Sequence, residues 1–410
     1  MPSWPKPYPL FDNVEVLQGS PSSWHMTYFQ TLIPSVKKEF ELACRFLLAY
    51  QGSTDTFTSY RREIERLCQW SWLIQKKSLQ ILSREDIAQY IKFVQNPPKN
   101  WIGSQHSPRF TEDQEGERIP LSAWRPFLQR TSNTSNTRPP GMQQATLRAV
   151  IASISTFFTY LMQEGYVTKN PVMLLRQKGQ IIQKHQQVRI TRKLTEKQWY
   201  TIISLIQIKA EQNPLFERHL FALSAFYLMG IRISELAQTQ NRVPQMRDFF
   251  RDHEGLWWFQ TVGKGNKQRE IAVADSMLEA LRRYRNYLGL PYLPTPSEAT
   301  PILPKQRGTG GIGIRQLRNV VQEAFDLATE KLQQDGQAEE ADHLRSATVH
   351  WLRHTSISHD VQHRPREHVR DDAGHQSIQI TDKYIDIDVK ARHASAQGKT
   401  LLSNQIKDTK

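Results

Sequence analysis

The chain predicts a mainly α fold with one small β-hairpin, divided into two domains. Three observations carry this. Several long stretches repeat apolar residues at helical spacing. One stretch, Leu256 to Val273, alternates around a glycine-rich turn as a two-stranded hairpin does. A basic, weakly patterned connector, residues 177–193, separates two groups of helices. A length of 410 residues accommodates two or three domains.

Residues 1–34 contain Pro2, Pro5, Pro7 and Pro9, which forbid a regular helix, so an extended N-terminal arm is expected. From Val36 to Tyr50 the residues Phe40, Ala43, Phe46, Leu47 and Tyr50 recur at helical spacing. A second helix is expected from Thr56 to Leu73, with Tyr60, Ile64, Leu67 and Trp70 or Trp72 on its apolar side. Ser83-Arg84-Glu85-Asp86 resembles a capping box that opens a third helix, and Asn96-Pro97-Pro98 ends it. Residues 97–141, rich in Pro, Ser, Thr, Asn and Arg, are expected to form a long loop or insertion. Its aromatics, Trp101, Phe110, Trp124 and Phe127, fit two roles: packing on DNA or a neighbouring subunit, or pinning a surface loop to its own domain. The stripe Leu147, Val150, Ile151, Ile154, Phe157, Phe158 and Leu161 predicts a helix capped by Gly165.

The first domain thus spans residues 35–176. The connector 177–193 carries Lys178, Lys184, Arg189, Arg192 and Lys193 without an acidic residue, a composition that suits a phosphate backbone as well as an ordinary solvated linker. The second domain, residues 194–410, opens on the capping pattern Thr195-Glu196-Lys197-Gln198. An apolar helix from Phe216 to Met229 runs into Gly230, which is expected to break it so that Arg232 projects at the next helix start. Leu256–Val262 and Arg269–Val273 are the hairpin strands, with Lys264 at the tip and Lys267 beside it. Helices follow at 275–287 and 314–332.

A formal charge of +14 favours a polyanionic partner, most simply nucleic acid. Two cysteines, Cys44 and Cys68, are too few for a disulfide framework and lack zinc spacing. No apolar run reads as membrane-spanning and the N-terminus has no signal pattern, so a cytosolic protein is expected.

The stretch His350 to Tyr384, HWLRHTSISHDVQHRPREHVRDDAGHQSIQITDKY, concentrates the chemistry. His350 and Arg353 lie one helical turn apart and share a face. Gly374-His375 and then Tyr384 follow. Together they supply phosphate donors, an acid/base imidazole and a phenol nucleophile. His350 and His354 have the i, i+4 spacing of a zinc helix, but Trp351 and Leu352 stand where the glutamate of such a motif would.

Four local motifs resemble the tyrosine recombinase (phage integrase) family: GIRISEL around Arg232, VGKGNKQREIAV around Lys264, HWLRHT for His350 and Arg353, and GHQSIQITDKY for His375 and Tyr384. The resemblance is most specific from Leu194 onward and weaker over the helices from Val36 to Arg176, which would be a core-binding domain. It implies a C-shaped clamp of two mostly helical domains on double-stranded recombination sites. It implies a homotetramer whose segment after Tyr384, Asp388 to Asn404, docks on a neighbour. It implies exchange through a Holliday junction by an enzyme of a mobile genetic element working on DNA in the bacterial cytosol. A type IB-like topoisomerase, a telomere resolvase, or a non-catalytic DNA-binding regulator of this fold are the alternatives. The chain departs from the family in the polar run Arg370-Asp371-Asp372-Ala373 before Gly374, and in His363-Arg364-Pro365-Arg366, where a glycine is usual.

The residues themselves argue the same chemistry. Attack on phosphorus builds charge on the non-bridging oxygens, and Arg232 and Arg353 carry permanent, forked donors for them. Tyr384 needs a base or a positive field to ionise, which His350 can relay. Lys264 suits protonation of the leaving 5′ oxygen, and His375 suits a hydrogen bond to the phosphate. Glu235, one turn after Arg232, fits either an orienting carboxylate or a plain helix-face one. Lys184, Arg189, Arg192 and Lys267 are the candidate DNA contacts. No carboxylate cluster accompanies the set, so a mechanism without metal or other cofactor is expected.

Overall fold

The computed structural model describes residues 4–18, 21–128, 144–173, 192–263, 267–375 and 377–382. The chain divides into two compact units, Met1–Gln187 and Val188–Lys410. Lys264, Tyr384, Lys184, Arg189 and the segment after Tyr384 lie outside the described residues.

The first unit is helical. Its elements are α1 (Val14–Leu17), α2 (Ser23–Gln30), α3 (Val36–Leu48), α4 (Thr54–Gln69) and α5 (Arg84–Gln95). Two small sheets follow, with β1 (Ile102–Gly103) paired in parallel to β4 (Phe127–Leu128) and β2 (Phe110–Glu112) antiparallel to β3 (Arg118–Pro120). The long helix α6 (Gln144–Gln163) completes it. The Ser83 capping box forms, with Asp86 as the reciprocal partner. Gly165 takes φ +68° just past α6. Helix α4 continues as a π-helical turn, Trp70–Gln75. Both Trp70 and Trp72 are buried there. One ring meets Tyr90 on α5 (centroids 5.3 Å apart), and the other donates its indole N–H to Glu39 on α3 at 2.6 Å. The turn lies between two helices, so opposite sides of it face protein.

Two expectations change here, and of the two roles open to the insertion aromatics the pinned loop is met. The N-terminal segment is no free arm. Its prolines keep it out of regular helix until Val14, but they do not prevent burial: Leu10 and Phe11 are fully enclosed. The Leu10 backbone N–H donates to Glu65 at 2.6 Å, and Arg118 pairs with Asp12 at 2.7 Å. The described part of the 97–141 insertion is likewise ordered on its own unit. Trp101, Phe110, Trp124 and Phe127 are buried, the Trp101 indole donates to the Pro5 carbonyl at 2.9 Å, and Arg109 donates to the Phe11 carbonyl at 2.9 Å. These aromatics close the core over the N-terminal strap. Finally, α6 is long and apolar enough by composition to cross a membrane, with a mean hydropathy of 1.3. Its stripe Leu147, Val150, Ile154, Phe157, Phe158 and Leu161 instead faces α3 and α4. Burying each large side chain there contributes about 1.5–3 kcal/mol.

The second unit is built around α8 (Glu217–Met229), which is buried on nearly every side. Around it pack α7 (Glu196–Gln212), α10 (Asp275–Tyr287), α11 (Ile314–Gln334) and α13 (Val349–His363). The short α9 (Ile233–Leu236) follows α8. An antiparallel sheet adds β5 (Phe249–Arg251), β6 (Trp257–Val262) and β7 (Gln268–Ala272), in that order. The strand β5 and the helix α12 (Ala338–Arg345) had no sequence forecast. The register aligns Phe249, Phe259 and Ile271, all buried, so one sheet face closes on the core. Helix α14 (Arg366–Ala373) and the single turn α15 (Ile378–Thr381) end the described chain.

Candidate active site

Gly230 ends α8 in the left-handed region at φ +58°, where an added Cβ would stand 3.0 Å from Ser356 Oγ. Only glycine turns the chain so sharply against α13. The turn places Arg232 as the extended N-cap of α9. Its backbone N–H donates to Glu235 Oε2 at 2.7 Å and its Nη1 to Oε1 at 3.0 Å. Glu235 is 1 % exposed. It also receives both Nη groups of Arg269 on β7, at 2.6 and 2.8 Å. Burial alone would raise the Glu235 carboxyl. The hydrogen bonds and charge of Arg269, with those of Arg232, outweigh it and hold the group below its ordinary value. Glu235 therefore orients an arginine rather than facing solvent.

Arg353 stands on α13 and is 3 % exposed. Its Nη1 donates to the carbonyl of Gly230, and its Nη2 to the carbonyl of Ala373 at 2.7 Å. Both carbonyls sit at helix C-termini, where the backbone dipole favours a cation. They orient the guanidinium with partial charges. Arg353 Nη2 also lies 3.4 Å from His375 Nε2. Gly374 ends α14 at φ +63°, which brings His375 back toward Arg353. His375 Nδ1 meets Thr381 Oγ1 at 2.9 Å. Burial, then the charges of Arg353, Arg232 and Arg269, lower the His375 imidazole to about 4. It is neutral at pH 7.

His350 lies one turn before Arg353 and is exposed at the surface of α13. Partial desolvation, followed by the charges of Arg353, Arg192 and Arg232, holds its imidazole below the ordinary value. His354 packs edge-on against it, with ring centroids 4.4 Å apart, and is lowered to about 4 by burial, His350 and Arg353. The polar run before Gly374 has a packing role. Asp372 accepts from Arg364, and its backbone carbonyl accepts from Arg269 Nε at 2.9 Å, which fastens α14 to β7.

The structure thus gathers Arg232, Arg353 and His375, with His350 within reach of their charges. Lys267 is exposed at the base of the hairpin turn, its carbonyl accepting from Gly263 N–H at 2.8 Å, and Arg192 is exposed before α7. Two site residues were missed in the sequence, Arg269 and Thr381. Arg269 carried a signal: it shares the period-two face of Ile271, which points inward. Thr381 carried none, because a lone hydroxyl in a polar segment has no pattern.

Residues 192–391 match the phage integrase family. The tyrosine recombinase XerC of Thermodesulfovibrio yellowstonii is 27% identical over 259 residues, covering 61% of this chain and 74% of that protein. The XerC of Bacillus subtilis is 24% identical over 249 residues, covering 60% of this chain and 72% of that protein. In fold, the chain resembles the XerH site-specific recombinase bound to palindromic difH substrate in a post-cleavage complex. The TM-score is 0.55 at 14% identity, covering 88% of this chain and 87% of that one. The lambda integrase dimer bound to a COC' core site gives 0.51 at 15% identity, with coverage of 96% and 87%. At such identity these likenesses carry the fold. The family match over residues 192–391 and the matched relatives place this chain with the phage integrase family, the tyrosine-type site-specific recombinases.

Proposed function

We propose that this recombinase cuts one DNA strand at a time through attack of Tyr384 on the scissile phosphate, giving a 3′-phosphotyrosine and a free 5′-hydroxyl. The observation that carries the reading is Arg353, buried and held between the Gly230 and Ala373 carbonyls beside His375. A phosphate placed there meets the guanidiniums of Arg232 and Arg353 next to the His375 imidazole. Charge growing on the non-bridging oxygens is stabilised by groups already fixed in place. His350 takes or relays the Tyr384 proton, and Lys264 protonates the leaving 5′ oxygen. The ester with Tyr384 conserves the bond, so rejoining by a partner strand's 5′-hydroxyl needs neither ATP nor metal.

In this reading residues 35–176 form a core-binding domain and residues 194–410 the catalytic domain, with 177–193 tracking the backbone between them. The basic charge, +14 overall, favours the duplex. A homotetramer on two recombination sites, with the segment after Tyr384 docked on a neighbour, would pass through a Holliday junction in the cytoplasm, in the service of a mobile genetic element. Sheared genomic DNA incubated with the full chain, denatured, and recovered through protein-bound fragments would define the site by sequencing. Tyr384→Phe should keep duplex binding and lose every such adduct. Adducts that persist in the variant reject the assignment. Relaxation of supercoils without exchange between two captured sites would favour a topoisomerase.

A further inference from the structure

Arg269 has no place in the chemistry above, yet three of its donors are bound within the site. Its Nη1 and Nη2 donate to the two oxygens of Glu235 at 2.6 and 2.8 Å, and its Nε donates to the Asp372 carbonyl at 2.9 Å. Two glycines make room for it. A Cβ on Gly263 would stand 2.8 Å from Arg269 Nη1 and 3.6 Å from Arg232 Nη1. A Cβ on Gly374 would stand 3.0 Å from Arg269 Cδ. Gly263 opens the β6–β7 turn, and Gly374 is the residue on which the chain turns toward His375. One guanidinium therefore touches the hairpin base, the carboxylate that holds Arg232, and the C-terminal end of α14.

We propose that Arg269 is a positioning residue, locking Arg232 through Glu235 and His375 through the Asp372–Gly374 turn into one phosphate-binding geometry. This rests on the reading that Arg232 and His375 hold the scissile phosphate. The geometry requires a planar fork. Nη1 and Nη2 meet the carboxylate while Nε meets a carbonyl, and a lysine ammonium delivers its donors from a single point. Without Arg269, Glu235 keeps only Arg232 as a described cationic partner and draws that guanidinium toward itself, away from a substrate. The α14 end loses its tie to β7 at the same time. These three bonds commit Arg269 to Glu235 and to the end of α14.

The test compares Arg269→Lys and Arg269→Ala with the wild-type full chain in three measurements. The first is the ¹³Cε1-histidine NMR titration of the free protein, with His375 assigned by its loss in His375→Asn. The second is the affinity for a duplex carrying the captured site. The third is the single-turnover adduct rate at saturating protein on a nicked form of that duplex.

In Arg269→Ala the His375 midpoint should rise by about one unit or more, since a nearby cation is lost. The His25 midpoint, set by burial in the first unit, should stay in place. In both variants the adduct rate should fall by roughly tenfold to a hundredfold, the effect of misplacing reacting groups by about an ångström. Duplex affinity should change less than about threefold, because the bonds removed are those to Glu235 and Asp372. Arg269→Lys serves if Arg269→Ala does not fold, and its retained charge separates position from electrostatics. Wild-type cleavage by Arg269→Lys would overturn the proposal. So would affinity falling in parallel with rate, or an unmoved His375 midpoint in folded Arg269→Ala. If the wild-type chain forms no adduct, the phosphotyrosine reading fails, and the titration alone then judges whether Arg269 fixes the His375 turn.

Discussion

Thr381 Oγ1 stands 2.9 Å from His375 Nδ1, and Thr381 is fully buried. The contact fixes the imidazole ring on one side while Arg353 Nη2 lies on the other, 3.4 Å from Nε2. A hydroxyl on one ring nitrogen sets which way the other points.

Thr381→Val keeps the shape and removes the hydroxyl. The His375 ring then loses its anchor, and strand cleavage should fall by about tenfold while duplex affinity holds. Single-turnover adduct formation on a nicked duplex measures it. A wild-type rate in Thr381→Val would mean that Arg353 alone orients the ring.

Glu235 links stability to pH. Its carboxyl is held below the ordinary value in the folded chain, after the hydrogen bonds and charges of Arg269 and Arg232 overcome burial. The unfolded chain therefore binds this proton more readily. The stability Glu235 contributes is complete above the ordinary carboxylate value, near 4.3, and is lost as pH falls through the lower folded value. Glu235→Gln leaves two guanidiniums without their carboxylate and should cost about 3–5 kcal/mol at pH 7. It should also flatten the acid limb of the melting profile. Calorimetry between pH 3 and 7, an interval of about four units around that value, checks both. An acid limb as steep as the wild type's would remove Glu235 from the linkage.

Lys264 falls in the sequence between β6 and β7, outside the described residues. An alkoxide leaving group gains much from a proton in the transition state, and a thiolate gains little. Lys264→Ala should slow cleavage of ordinary DNA by roughly a hundredfold. It should recover most of that rate where sulfur replaces the bridging 5′ oxygen. Arg353→Ala should recover little, because it loses charge stabilisation on the non-bridging oxygens. Equal recovery in both variants takes the acid role from Lys264.

The connector supplies the last prediction. Arg192 is exposed just before α7. Each phosphate neutralised by a cation contributes about 0.9 to the slope of log affinity against log salt. Replacing Lys184, Arg189 and Arg192 together with glutamine should flatten that slope by up to about 2.7. An unchanged slope would show that residues 177–193 do not touch the backbone.

The sequence alone determined the elements whose cause is local. The Ser83 and Thr195 capping boxes, the glycine that ends α8, the alternation of β6 and β7 and the α6 stripe each arise within a few residues, where periodicity and capping act. The order Arg232, His350, Arg353, His375 was legible for the same reason, as was the family they resemble. Tertiary structure alone decided what depends on residues far apart in the chain. Leu10 and Phe11 are buried because Glu65 and Arg109 reach them from elsewhere, which no count of prolines reveals. Glu235 could have been any surface carboxylate until Arg269, on another strand, closed on it. Arg353 is held by two carbonyls more than a hundred positions apart in the chain, Gly230 and Ala373. Such contacts form only when the core of the second unit sets α8, α13 and α14 side by side. A buried charge is tolerated there because folded backbone, not sequence neighbours, satisfies it.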